Sequence, residues 1–107
     1  MALKPKLKAA WIKALRSGKF RQGRGSLYKD GKYCCLGVLA RIQGCSTEAL
    51  KDVADENQPP RGFKAGLRKP TFEKLVFMND GEHRFGGFLP ESRKSFKQIA
   101  DWVQKNL

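Results

Sequence analysis

Apolar residues near the start of the chain recur at spacings of three and four. Leu7, Ala10, Trp11, Ala14 and Leu15 share one face, while Lys6, Lys8, Lys13 and Arg16 take the other. This spacing predicts an amphipathic helix over residues 3–17. Pro5 fits a first helical turn and Gly18 fits the stop just past the last one. The period then changes. Leu27-Tyr28-Lys29 and Lys32-Tyr33-Cys34 flank Asp30-Gly31, which predicts a short antiparallel hairpin over residues 27–34, because a type I′ turn needs positive φ at both central positions. Between helix and hairpin, "KFRQGRGS" (residues 19–26) reads as a basic loop punctuated by glycine.

Residues 35–43 fit either a strand or a helix. Cys35, Val38, Leu39 and Ile42 have helical spacing and Gly44 suits the position after a helix, whereas Gly37 weakens a helix by about 1 kcal/mol relative to alanine. A short buried helix is favoured. Ser46 then caps a helix with Leu50, Val53 and Ala54 on one face, which Pro59-Pro60 must end. Residues 57–70 read as a long loop. A brief helix capped by Thr71 follows, with Phe72, Leu75 and Val76 inward, and Asn79-Asp80-Gly81 closes it. Residues 81–91 form a loop or a second short hairpin. Ser95 and Gln98 make a capping box, and Phe96, Ile99, Ala100, Val103 and Leu107 mark one face of a C-terminal amphipathic helix over residues 95–107. The expected class is α+β: one domain over residues 1–107, mainly helical, with a short antiparallel hairpin.

Length and composition support this. A chain of 107 residues with 40% hydrophobic residues builds one modest core. No stretch approaches the roughly 20 apolar residues of a membrane span, and no apolar leader is visible. Three cysteines, an odd number, point to free thiols in a reducing cytosol.

Charge changes the picture more. The formal net charge is +12 and it is uneven. Residues 1–32 carry ten Lys/Arg against one acid, Asp30. Such a surface favours acidic partners: nucleic acid, an anionic membrane or an acidic protein. In "GKFRQGRG", Lys19, Arg21 and Arg24 are set on a loop with Phe20 interleaved, where a ring can stack on a base and arginine can hold phosphate in a fork. With Lys13 and Arg16 of the preceding helix, these are the candidate nucleic-acid contacts. The competing assignments are a solvated helix face for the lysines and a core anchor for Phe20.

The other candidate chemistry is weaker. "KYCCLGVLARIQG" places Cys34 and Cys35 side by side at the head of an apolar run. Together with Cys45 and His83 they are the only soft metal ligands. Adjacent cysteines point apart and no C-x-x-C pair exists, so the pattern does not make a zinc site. A thiol at a helix N-terminus can gain thiolate character from the dipole and a nearby cation such as Lys32. With His83 as base and Asn79 or Asp80 as orienter, Cys34 or Cys35 would loosely resemble a cysteine–histidine nucleophile. The plainer assignment is that all three cysteines are small buried hydrophobes and His83 an exposed loop residue. No phosphate-binding loop, paired-acid motif or cofactor motif is present.

The segment "WIKALRSGKFRQGRGSLYKDGKYCCLGVLARIQG", with "MND" and "SFKQIADWVQKNL" further on, resembles a set of small proteins encoded by bacteriophages and prophages. The likeness covers residues 11–44 and 78–107. It implies a phage or prophage origin, a bacterial cytoplasm, and an accessory role such as interference with host or defence machinery. It implies no catalytic residue. The insertion "GEHRFGGFLPESRK" and the strong basicity depart from the pattern. The leading expectation is therefore a non-enzymatic accessory protein, without cofactor, that binds nucleic acid or a nucleic-acid-bound host complex. The alternatives are a protein that inhibits an acidic host or defence factor, and a cysteine-dependent enzyme.

Overall fold

The computed structural model describes residues 4–23, 27–51, 63, 67–80, 82–84, 87–89 and 94–107, with 82–84 and 87–89 as backbone. In chain order these form α1 (Pro5–Arg16), β1 (Arg21–Gln22), β2 (Tyr28–Lys29), β3 (Lys32–Tyr33), α2 (Cys35–Ile42), α3 (Thr47–Lys51), α4 (Lys69–Asp80), β4 (Glu82–Arg84), β5 (Gly87–Leu89) and α5 (Phe96–Asn106). The class is α+β.

Helix α1 is the amphipathic helix expected from the spacing. Trp11 and Leu15 are buried, and Gly18 follows with φ of 77°. The helix packs along α5 and against α2. Helix α5 carries the full capping box: the Ser95 side chain accepts from Gln98 N–H, and the Gln98 side chain accepts from Ser95 N–H. Its inward face is Phe96, Ile99, Ala100 and Val103. One cluster of buried residues runs from Trp11 to Val103 and contains Leu27, all three cysteines, Leu36, Leu39 and Leu75. Fully burying a side chain of leucine size stabilises by about 1.5–3 kcal/mol, so α2, α4 and α5 owe their helicity largely to this shared core.

The hairpin turns through Asp30 (φ 52°) and Gly31 (φ 79°), the two positive φ values its turn requires. The sheet holds one strand more than the hairpin, however. Arg21 and Gln22, expected in a loop, pair in parallel with Lys32 and Tyr33, giving the order β1-β3-β2. The hairpin supplies an open edge, and the backbone of β1 fills it; Gly23 N–H then donates to Tyr33 O at 2.7 Å. A Cβ on Gly23 would stand 2.7 Å from the Lys32 Cβ, so the chain passes β3 where only glycine fits.

Residues 35–42 are helical, which resolves the strand-or-helix ambiguity. Gly37 is there for a close approach: a Cβ at that position would lie 2.0 Å from the Leu27 carbonyl oxygen. The hairpin is thus seated on α2 through a glycine whose cost in helix propensity is offset by packing. Ser46 caps α3 through Ala49 N–H, as expected. Helix α4 starts at Lys69, two residues ahead of the expected Thr71 cap, because Pro70 is tolerated in a first turn. The expected Val53 and Ala54 of α3 and most of the expected 57–70 loop lie outside the described residues. Residues 82–84 and 87–89 form the second antiparallel hairpin, with His83 opposite Phe88.

Candidate functional site

Two groups of candidate residues meet around β1–β3, one buried and one exposed. The buried group centres on the cysteine pair. Cys34 is the N-cap of α2, and its Sγ accepts from Gly37 N–H at 3.3 Å. A helix leaves its first N–H groups without intrahelical partners, and here a sulfur serves as a soft acceptor for one of them. The next is Cys35 N–H, which donates to Asn79 Oδ1 at 3.2 Å. Asn79 is fully buried at the end of α4. Its Oδ1 also accepts from Gln22 Nε2 at 2.9 Å, and its Nδ2 donates to Gly23 O and to Asp80 Oδ1. The Gln22 side chain donates as well to Lys94 O at 2.8 Å and accepts from Phe96 N–H at 3.1 Å. Trp11 Nε1 donates to Cys35 O at 2.9 Å, and the Cys35 thiol donates to Leu75 O at 3.5 Å. The node therefore ties together α1, β1, α2, α4 and the start of α5.

This geometry fixes what the thiols can do. Both Cys34 and Cys35 are inaccessible to solvent. Burial, then the neighbouring Cys34 and Asp80, push the Cys35 thiol well above its ordinary range. It stays protonated at neutral pH and packs as a small hydrophobe. Asn79 and Asp80 sit beside the pair as the sequence suggested, and among the described residues Asn79 bonds the backbone of Cys35 and Gly23 and the side chains of Gln22 and Asp80. The backbone of His83 lies in β4 and its side chain is outside the described residues. Among the described residues, no three of His, Cys, Asp and Glu gather as metal ligands, and no helix is long and apolar enough to cross a membrane.

The exposed group is cationic. Lys13, on α1, and Lys19, just after it, are exposed and enter no ion pair among the described residues. Arg16 does: its guanidinium meets Asp101 Oδ1 at 2.6 Å and Gln104 Oε1 at 2.9 Å, clasping α1 to α5. Both partners of this ion pair remain exposed to solvent. Phe20 is half-buried, its ring edge-on to Tyr33 at 5.2 Å, which fits the core-anchor assignment of the two that the sequence left open. Tyr33 in turn meets Tyr28 at 4.8 Å, and Lys51 lies 5.6 Å from the Tyr28 ring. Arg24 lies outside the described residues.

Arg21 is exposed and stands in a row that sequence reasoning missed. It is in register with Lys32, and Lys32 is in register with Lys29. Residues directly opposite across strands share a face, so Arg21, Lys32 and Lys29, all exposed, form one cationic row across all three strands. Gln22, Tyr33 and Tyr28 form the half-buried row behind it. The Lys29–Lys32 half was legible, because a two-residue turn at Asp30-Gly31 makes its flanking residues a pair. The Arg21 half depended on β1.

A family model described as a domain of unknown function, DUF8296, matches residues 3–58, more than half of the chain. This stretch carries α1, the three-stranded sheet, the cysteine pair and the cationic row. No curated protein and no solved structure matches the chain.

Proposed function

The chain belongs to the DUF8296 family, and we propose that it is a phage-derived accessory protein that binds nucleic acid, or a nucleic-acid-bound host complex, through its basic N-terminal surface and without catalysis. The observation that carries this reading is charge without internal compensation. The first 32 residues hold ten of the 22 Lys/Arg against one acid. Among the described residues, Arg16 alone of these is in an ion pair. Lys13, Lys19 and Arg21 thus keep their full field for an external polyanion, and neutralising phosphates releases the counterions that supply most sequence-independent affinity. The buried, protonated Cys35 favours a binding role over thiol chemistry. The phage origin and the bacterial cytoplasm as site of action rest on the resemblance carried by residues 11–44 and 78–107.

Binding to a labelled oligonucleotide across a salt series tests this. The logarithm of the association constant is expected to fall linearly with the logarithm of salt concentration, and charge reversal at Lys13 and Lys19 is expected to flatten that slope. Absence of binding at low salt, or affinity indifferent to salt, overturns the reading.

A further inference from the structure

We infer that the nucleic acid is a duplex gripped by its phosphate backbone, and that the outer face of the three-stranded sheet, with Arg21, Lys32 and Lys29 in one row, is the surface that grips it. This rests on the nucleic-acid reading above and narrows it to one face and one class of partner.

Three observations carry it. First, the row is costly to the fold on its own terms. Like charges directly opposite across strands repel, and here Lys32 faces a cation on both sides. Lysine on a sheet edge often guards against edge-to-edge pairing, which would account for Arg21 on β1 and Lys29 on β2. It does not account for Lys32, since β3 is the central strand. Asp30, the acid next to Lys29, makes no ion pair with either lysine.

Second, the row is closely rooted. Adjacent strands lie about 4.8 Å apart, so the backbone positions that carry the three cations span roughly 10 Å of a hydrogen-bonded ladder. Duplex DNA presents one charge per about 1.7 Å of axis, counting both strands, against about 3.4 Å for one strand. Three cations rooted this close together have more phosphates within reach on a duplex.

Third, the aromatic rings nearest the row are committed elsewhere. Binding of single strands relies on exposed rings on which bases stack. Phe20, Tyr33 and Tyr28 are half-buried, ring against ring, behind the row. The exposed aromatic among the described residues, Phe77, is on α4 and not on the sheet. The surface thus offers charge without stacking, which suits a polyanion whose bases stay paired.

The test compares wild type with the triple variant R21T/K29T/K32T. Threonine suits an exposed strand position, so the variant relieves repulsion and keeps the fold, which its circular dichroism and thermal melt verify. Each protein is titrated with a DNA duplex of about 20 base pairs and with one of its strands, over a salt series. Wild type is expected to bind the duplex at least about fivefold more tightly than the single strand, and the variant to lose about tenfold in duplex affinity at low salt, with a shallower salt slope. Equal or tighter binding of the single strand overturns the inference. So does a folded variant with wild-type affinity and slope. In both cases wild type still binds nucleic acid and the broader reading stands, whereas wild type binding neither probe at low salt removes both.

Discussion

Arg21 and Gln22 are neighbours in β1, point to opposite sides of the sheet and end in opposite circumstances. Gln22 turns inward, where each polar atom of its amide finds a partner: Asn79 and Lys94 O for the nitrogen, Phe96 N–H for the oxygen. Arg21 turns outward into a row with Lys32 and Lys29, where the cation directly opposite it, Lys32, repels it. Both residues are polar and both lie in the same basic segment. One is part of how the chain holds its shape, and the other makes the shape harder to hold. A polar side chain that the fold satisfies is explained by the fold. A row of like charges laid across all three strands is not explained by the fold, and its proposed counterpart lies outside the molecule.

The contrast can be broken from either side. The largest effect is expected at the buried node. Asn79→Ala leaves Cys35 N–H, Gly23 O and part of the Gln22 amide buried without their partner, and each such group costs about 1–3 kcal/mol. Urea unfolding is expected to show a loss of about 3 kcal/mol or more; a loss below about 1 kcal/mol would mean that water replaces Asn79 and the node is not structural. The effect of pH at Cys35 is next. Its native pKa is raised, so the unfolded thiol ionises first as pH climbs past about 8.5 and draws the equilibrium toward unfolding. Stability from this group is complete below that pH and declines above it by roughly 1 kcal/mol per pH unit until the native thiol also ionises. Wild type should therefore lose more stability than Cys35→Ala between neutral pH and pH of about 9.5, and parallel losses would contradict the burial of this thiol. The smallest effect is expected at the row, with reversed sign. Lys32→Thr removes two repulsive neighbours and gives a better strand former, a gain of about 0.5 kcal/mol. A thermal melt showing clear destabilisation would place Lys32 in the structural group with Gln22.

Much of the fold was legible because its signals are local. Helix α1 followed from spacing, the first hairpin from Asp30-Gly31, and α5 from Ser95 and Gln98 together with a regular apolar face. The parts that could not be read depend on pairing between distant residues. β1 is two residues long, amid glycine and lysine, and becomes a strand because β3 offers it an edge. Arg16, a candidate phosphate contact, also meets Asp101, 85 residues on, a pairing that no local spacing reveals. Phe20 is open in the sequence to either a stacking or an anchoring role, and the ring it meets, Tyr33, comes from the hairpin. The start of α4 was misplaced because Thr71 makes a good cap on paper, while Pro70 permits a helix that begins earlier. For the candidate site, half of the cationic row was visible as the flanks of a turn, and half waited on the parallel strand.

The wiring of the node also bears on how the chain can be divided. Gln22 and Cys35 lie in its first half, yet the groups that complete their hydrogen bonds, Asn79, Lys94 and Phe96, lie in its second. Trp11 and Leu15 share their core with Ile99 and Val103. A fragment ending near residue 58 would keep the cationic strands and lose the groups that hold them in register. The two ends of the sequence are therefore one cooperative unit, and swapping segments between relatives should succeed only when residue 22 and residue 79 travel together.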